Sequence, residues 1–224
     1  MEYVDLHFPP ILLLMNINGL LVHRTQERIN FHRSEGIDGV KGSDEPGKGF
    51  MRQKIDFFTM KRNHHYFREG QLPFLRALMS HPRVKFAFYS SIMRKNIMPI
   101  ITKMFERDML LFSNHMMALF DQDYNKSAPE LTGDKWGMIR DLQKVWDSPA
   151  CKKLDCNFGP SNTIMLETDE INVHDCIENS LIVDRFERED VWPTNIEHMR
   201  NQVEILTSIK DNIFALLDTC QGDV

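Results

Sequence analysis

At 224 residues and 42% hydrophobic content, the chain is long enough for one α/β domain with a substantial core and too short for a second full-sized one. The formal net charge of −5 excludes a generally basic, nucleic-acid-coating surface, though local basic patches are compatible with it. Four cysteines (151, 156, 176 and 220) are too few for a disulfide framework, and no apolar run approaches the roughly 18 to 20 residues that span a bilayer. The expectation is a soluble protein of a reducing compartment, cytoplasm or nucleus, with mitochondria left open. The apolar run at 11–15 lacks the basic region and cleavage site of a signal peptide.

That run, Ile-Leu-Leu-Leu-Met, is preceded by Pro9-Pro10 and followed by a polar turn ending in Gly19. It is too short and too sharply punctuated for a helix, so a buried central strand is predicted. Ligands of open parallel sheets bind outside the carboxyl ends of the strands, which makes Asn16 and Asn18 candidate site residues. An insertion follows at 22–68. Its glycines 36, 39, 42, 47 and 49 mark a mobile loop at 34–49, with Arg24 to Phe31 and Phe50 to Phe58 predicted to pair as a hairpin around it. The plainer alternative is a solvated, charged insertion.

From Glu69 the apolar spacing turns helical, with Phe74, Leu75, Leu78 and Met79, and His81-Pro82 ends the helix. Val84 to Tyr89 is a strand. Ser90-Ser91 leads into a helix with Ile97, Ile100, Ile101 and Met104 on one face. His115 to Phe120 is a further strand and Asp121 to Gly133 an irregular polar loop. Trp136 to Trp146 is predicted helical from Ile139, Leu142 and Val145. Asn162 to Leu166 and Leu181 to Val183 are the last strands, and Asn195 to Leu217 a long amphipathic helix packed on the body.

This order resembles the haloacid-dehalogenase phosphatases, specifically the branch that dephosphorylates the polymerase II C-terminal domain, also called the NLI-interacting-factor family. There a hydrophobic strand runs into Asp-x-Asp-Gly-Thr, and the resemblance covers residues 8 to 217. It implies a three-layer α/β sandwich with a mostly parallel central sheet, a single domain over 1–224, and a small β-containing insertion after the first strand. It also implies that Ser90 stands at the hydroxyl position that holds a phosphate oxygen, with Lys95 and Pro99 fitting the helix that follows. Lys135 resembles the lysine that neutralises the phosphoryl group. Taken alone, Ser90 reads as a helix cap and Lys135 as an exposed lysine.

The catalytic positions depart from the pattern. Asn16 stands where the resemblance places the nucleophilic Asp, Asn18 where it places the general acid/base, Leu20 in place of Thr, and Thr168 at the second acidic position after the strand. A carboxylate can attack phosphorus, carry the leaving-group proton and bind Mg²⁺; an amide does none of these well. Glu167 is the one remaining candidate metal ligand, so binding is expected to be weak or absent and no cofactor is expected. Cys151, Cys156, His174 and Cys176 are spaced too irregularly for a zinc site, and ordinary thiols are the better reading. No P-loop or nucleophile motif of another catalytic fold is present.

The functional expectation is a pseudophosphatase that binds a protein partner, with a phosphopeptide-binding remnant at Ser90 and Lys135 as one form. Degenerate relatives of this kind exist, among them a mitochondrial import subunit that receives presequences. The alternative is an active Mg²⁺-dependent serine/threonine phosphatase with an atypical site.

Overall fold

The computed structural model describes residues 9–29, 57–154, 156–191 and 196–219. Among these, the strands in chain order are β1 (Ile11–Met15), β2 (Val22–Thr25), β3 (Phe57–Met60), β4 (Asn63–Phe67), β5 (Val84–Tyr89), β6 (Met116–Phe120), β7 (Asn125–Ser127), β8 (Met138–Arg140), β9 (Thr163–Glu167) and β10 (Ser180–Ile182). The helices are α1 (Gln71–Met79), α2 (Arg94–Met104), α3 (Met109–His115), α4 (Pro129–Thr132), α5 (Leu142–Trp146), α6 (Pro149–Lys152), α7 (Arg188–Val191) and α8 (Ile196–Thr219).

Five strands form one parallel sheet in the order β10-β9-β1-β5-β6. β1 is buried along its whole length, as a continuous apolar run must be when both faces of a central strand are covered. Its alternate residues enter two different cores. Ile11, Leu13 and Met15 join Phe86 and Phe88 of β5 against α1, α2 and α8. Leu12 and Leu14 join Ala87, Tyr89 and Met165 against Leu142 and Val145 of α5, Cys151 of α6 and Val173. The molecule is therefore a three-layer α/β sandwich. Leu12, Leu13 and Leu14 are wholly buried, so each contributes on the order of 2 kcal/mol of apolar transfer.

Sheet order also fixes where a site can form. From β1 the chain moves outward through β5 to β6, then returns to β9 and β10 on the other side, so the direction of winding reverses between β1 and β9. The crevice outside the carboxyl ends of these two strands is the natural binding position. β1 ends there at Met15, followed by Asn16, and β9 ends there at Glu167.

Residues 30–31 and 50–56 of the predicted hairpin lie outside the described residues; among the described ones, β2 and β3 do not pair with each other but flank β4 in a three-stranded antiparallel sheet of order β2-β4-β3, whose middle strand carries His64 and His65. Its β3–β4 turn is Lys61-Arg62, with Lys61 at φ 57, and so lacks the Asn-Gly signal such turns usually advertise. The 34–49 loop lies outside the described residues. The predicted 136–146 helix is split: Met138–Arg140 is a strand paired with β7, and Asp141 caps a shorter helix by accepting from Lys144 N at 3.2 Å. Ile139 belongs to the strand, so its three-residue spacing from Leu142 is incidental. Finally, α3 was not expected; Asp108 caps it by accepting from Leu111 N at 3.2 Å. Among the described side chains of the α8 stripe, Leu206, Ile209 and Ile213 are buried whereas Val203 and Leu216 are exposed.

Candidate functional site

Six elements deliver polar side chains to the carboxyl edge of the sheet: Asn16 after β1, Ser90 after β5, Asp121 after β6, Asn125 opening β7, Arg140 closing β8 and Glu167 closing β9. All six are buried, Glu167 completely.

Glu167 is the centre of the arrangement. Its Oε1 accepts from Asn16 Nδ2 and from its neighbour Thr168 N, the latter at 2.8 Å. Its Oε2 accepts from Arg140 Nε at 3.0 Å and Nη2 at 2.6 Å. A carboxylate offers about four lone-pair directions, and four N–H groups occupy them here. The Asn16 amide also donates to Asn18 O at 2.9 Å. Both partners of Nδ2 are acceptors, which fixes the amide orientation.

Arg140 extends the chain of contacts. Its Nη1 donates to Asn125 Oδ1 at 2.9 Å, and its guanidinium lies 4.8 Å from the Tyr89 ring centroid. Asn125 Nδ2 in turn donates to Ser90 O at 3.0 Å and Asp121 O at 2.9 Å. Tyr89 OH donates to Tyr124 O and accepts from Asp141 N, while burial pushes its phenol pKa up, keeping it protonated. One buried network thus ties the ends of β1, β5, β6 and β9 to the β7–β8 pair.

Gly19 closes the crevice mouth with φ 84, a left-handed conformation that glycine adopts without steric penalty. A Cβ at Gly19 would lie 2.9 Å from Thr168 Oγ1 and 3.1 Å from Arg185 Nε, so both side chains crowd this turn. Leu20, at the position of the expected Thr, is fully buried in the apolar core and presents no hydroxyl to the crevice.

The expected site residues are only partly gathered. Asn16, Asn18, Thr168 and Glu167 converge. Ser90 is at the correct edge, but its hydroxyl accepts from Ile92 N at 3.2 Å, a local turn. Lys135 is not in the crevice: it is exposed in the turn before β8, with Nζ 5.2 Å from the Trp136 ring centroid. The cation that enters the site is Arg140, five residues later. The available signal was Asp141, a helix-capping residue type, which moves the helix start and places Arg140 at a strand's end.

The residues present do not fit a divalent cation. Asn16 turns its N–H₂ toward Glu167, Asn18 and Thr168 are uncharged, and the one buried carboxylate is saturated by a guanidinium. Asp169, shifted by one position, accepts from Ile171 N at 3.1 Å as a cap. Among the described residues, no three His, Cys, Asp or Glu side chains gather as a metal site. Burial pushes the Cys151 and Cys176 thiols up, which makes them poor nucleophiles and ligands at neutral pH.

No family model and no curated protein matches the chain. Among solved structures, the chain is similar to Fcp1, an essential RNA polymerase II CTD phosphatase, at 12% identity and a TM-score of 0.48, over 91% of this chain and 50% of that one. A variant of fission yeast Fcp1 bound to beryllium fluoride gives 12% identity and a TM-score of 0.48, over 96% of this chain and 57% of that one. The chain spans about half the length of these proteins. Among the described residues, no helix is long and apolar enough to cross a membrane.

Proposed function

We propose that this protein is a catalytically inactive, phosphatase-like protein that acts by binding another protein. The observation that carries the reading is the Asn16–Glu167–Arg140 arrangement. Phosphoryl transfer through a carboxylate needs a free, negatively charged oxygen facing the substrate, and a second carboxyl group to handle the leaving-group proton. Here the first position is an amide that donates to its neighbour, and the second, Asn18, is an amide as well. Arg140, the cation that enters the crevice, is committed to Glu167 inside the fold.

A residual phosphate-binding role would rest on Arg185 rather than Lys135, because the Arg185 side chain lies against Gly19 at the crevice mouth. Titration of inorganic phosphate and a phosphoserine peptide against wild type, Arg185→Ala and Lys135→Ala tests that part. Binding weakened by Arg185→Ala alone supports it, and no binding at millimolar ligand removes it.

The main reading is tested by turnover. The purified chain is expected neither to hydrolyse an aryl phosphate in the presence of Mg²⁺ nor to form an acyl-phosphate mimic with beryllofluoride. Metal-dependent hydrolysis at roughly 1 s⁻¹ or faster would overturn it.

A further inference from the structure

We infer that the groove between α2, β3 and α3 is a docking site for an acidic, amphipathic segment of a partner protein; this rests on the reading that the chain works by binding. The groove is an open surface trough of about 760 Å³ lined by Met98 and Pro99 of α2, Phe58 of β3 and Met109 of α3. Lys95, Thr102 and Lys103 of α2 and Glu106 just after it complete the lining, two cations against one carboxylate. Positions 95, 98, 99 and 102 recur at helical spacing, so one face of α2 runs along the groove, and α2 is about 16 Å long. Met109 is 46% exposed and Leu110 beside it 74% exposed, which continues the apolar surface past the groove.

Charge selects the occupant. α2 contains Arg94, Lys95 and Lys103 and no acidic residue, in a protein whose net charge is −5. The Lys61-Arg62 turn is brought against the same helix, with Lys61 Nζ donating to Asn96 Oδ1 at 3.3 Å. Lys103 is neutralised by Glu106 and Arg94 approaches Asp121 at 3.5 Å, but Lys95 and Arg62 have no ionic partner among the described residues. Lys95 also sits in the first turn of α2, where the helix dipole opposes a positive charge. Its backbone carbonyl loses an intrahelical donor as well, because Pro99 has no N–H. An apolar floor beside unneutralised cations matches a segment with apolar residues on one face and Asp or Glu on the other. A second copy of this acidic chain or a nucleic acid matches less well: the first lacks an assigned acidic face, and the second would not use the apolar floor.

The test is fluorescence anisotropy with a labelled 16-residue peptide carrying Leu and Phe on one helical face and Glu on the other. A scrambled peptide of the same composition, polyglutamate and single-stranded DNA serve as controls. Saturable binding of the amphipathic peptide alone is expected, weakened about tenfold or more by Lys95→Glu and by Thr102→Glu. Lys153→Glu makes the same charge change beside α6 on the opposite layer and should have no effect. Both groove positions are exposed, and unchanged melting temperatures confirm that the variants fold. Binding absent at millimolar peptide, equal binding of any control ligand, or equal loss in Lys153→Glu overturns the proposal, as does self-association through this face. The phosphatase assay above stays separate: turnover overturns the inactive reading whatever the peptide does, and failed peptide binding without turnover overturns the groove alone.

Discussion

Arg140 directs two guanidinium N–H groups at a single oxygen of Glu167, at 3.0 and 2.6 Å, with side-chain exposures of 2% and 0%. Burying two charges is favourable only when geometry and further hydrogen bonds repay the desolvation. Further hydrogen bonds supply this: Asn125 accepts from the third guanidinium nitrogen, and Asn16 and Thr168 donate to the other Glu167 oxygen. The pair therefore fills the crevice from inside and links the end of β8 to the end of β9.

Removing one partner leaves an uncompensated buried charge. Glu167→Gln and Arg140→Met are each expected to lose about 3 to 5 kcal/mol in urea unfolding. The double replacement Glu167→Gln with Arg140→Met should lose less than the sum, because no isolated charge remains. Additive losses would show that the two side chains do not act as a pair.

Much of the fold could be read from the chain, and the reasons are specific. β1 combines a five-residue apolar run with Pro9-Pro10 before it and Gly19 after it, so length and punctuation agree. α1 and α2 have apolar residues at clean helical spacing. β8 was hidden because it is three residues long and its Ile139 continues the periodicity of α5, and with it Arg140 was hidden. β4 was hidden because His64 and His65 suggest a solvated segment, yet His65 is 1% exposed. A local pattern reports periodicity, not which charged residue the tertiary structure turns inward.

His65 carries a pH dependence of definite sign. Burial first, then the nearby Arg24 charge, lowers its pKa from 6.5 to about 4, partly opposed by a backbone hydrogen bond at Phe58. The folded state therefore holds the neutral ring, while the unfolded chain takes up a proton near pH 6.5. This contribution is complete above pH 6.5 and is lost as pH falls toward 4, a change of roughly 3 kcal/mol at most. His65→Phe keeps the stacking on Phe58, at 4.8 Å between centroids, and should flatten the stability profile over this window in urea titrations. An unchanged slope would assign the pH dependence to other groups.

Gly19→Ala should lose about 1 to 2 kcal/mol for the left-handed backbone alone, with a further loss from the approach to Thr168 Oγ1. Pairing it with Thr168→Ala removes the Thr168 share of the crowding and leaves the backbone part together with the approach to Arg185. Thermal melts of the two variants separate the contributions, and a neutral Gly19→Ala would contradict the positive φ.

Asn16→Asp tests the crevice chemistry most directly. The new carboxyl would face Glu167 Oε1, where the amide now donates, so attraction is replaced by repulsion between like charges. The folded-state pKa of the new group would be raised above the unfolded value near 3.9. It therefore destabilises the protein above that raised pKa, on the order of 1 to 3 kcal/mol at pH 7, and the deficit shrinks as pH falls through it. A divalent cation would relieve the same repulsion, because two adjacent carboxylates supply the charged oxygen ligands that Mg²⁺ requires. Millimolar Mg²⁺ should raise the melting temperature of Asn16→Asp and leave wild type unmoved. Turnover should remain absent while Asn18, Leu20 and Thr168 are unchanged, since the proton-handling carboxyl and the hydroxyl expected at position 20 are still missing. An equal Mg²⁺-dependent shift in wild type would mean that Arg140 yields Glu167 to a metal in the native protein, and the saturated-carboxylate argument would fail.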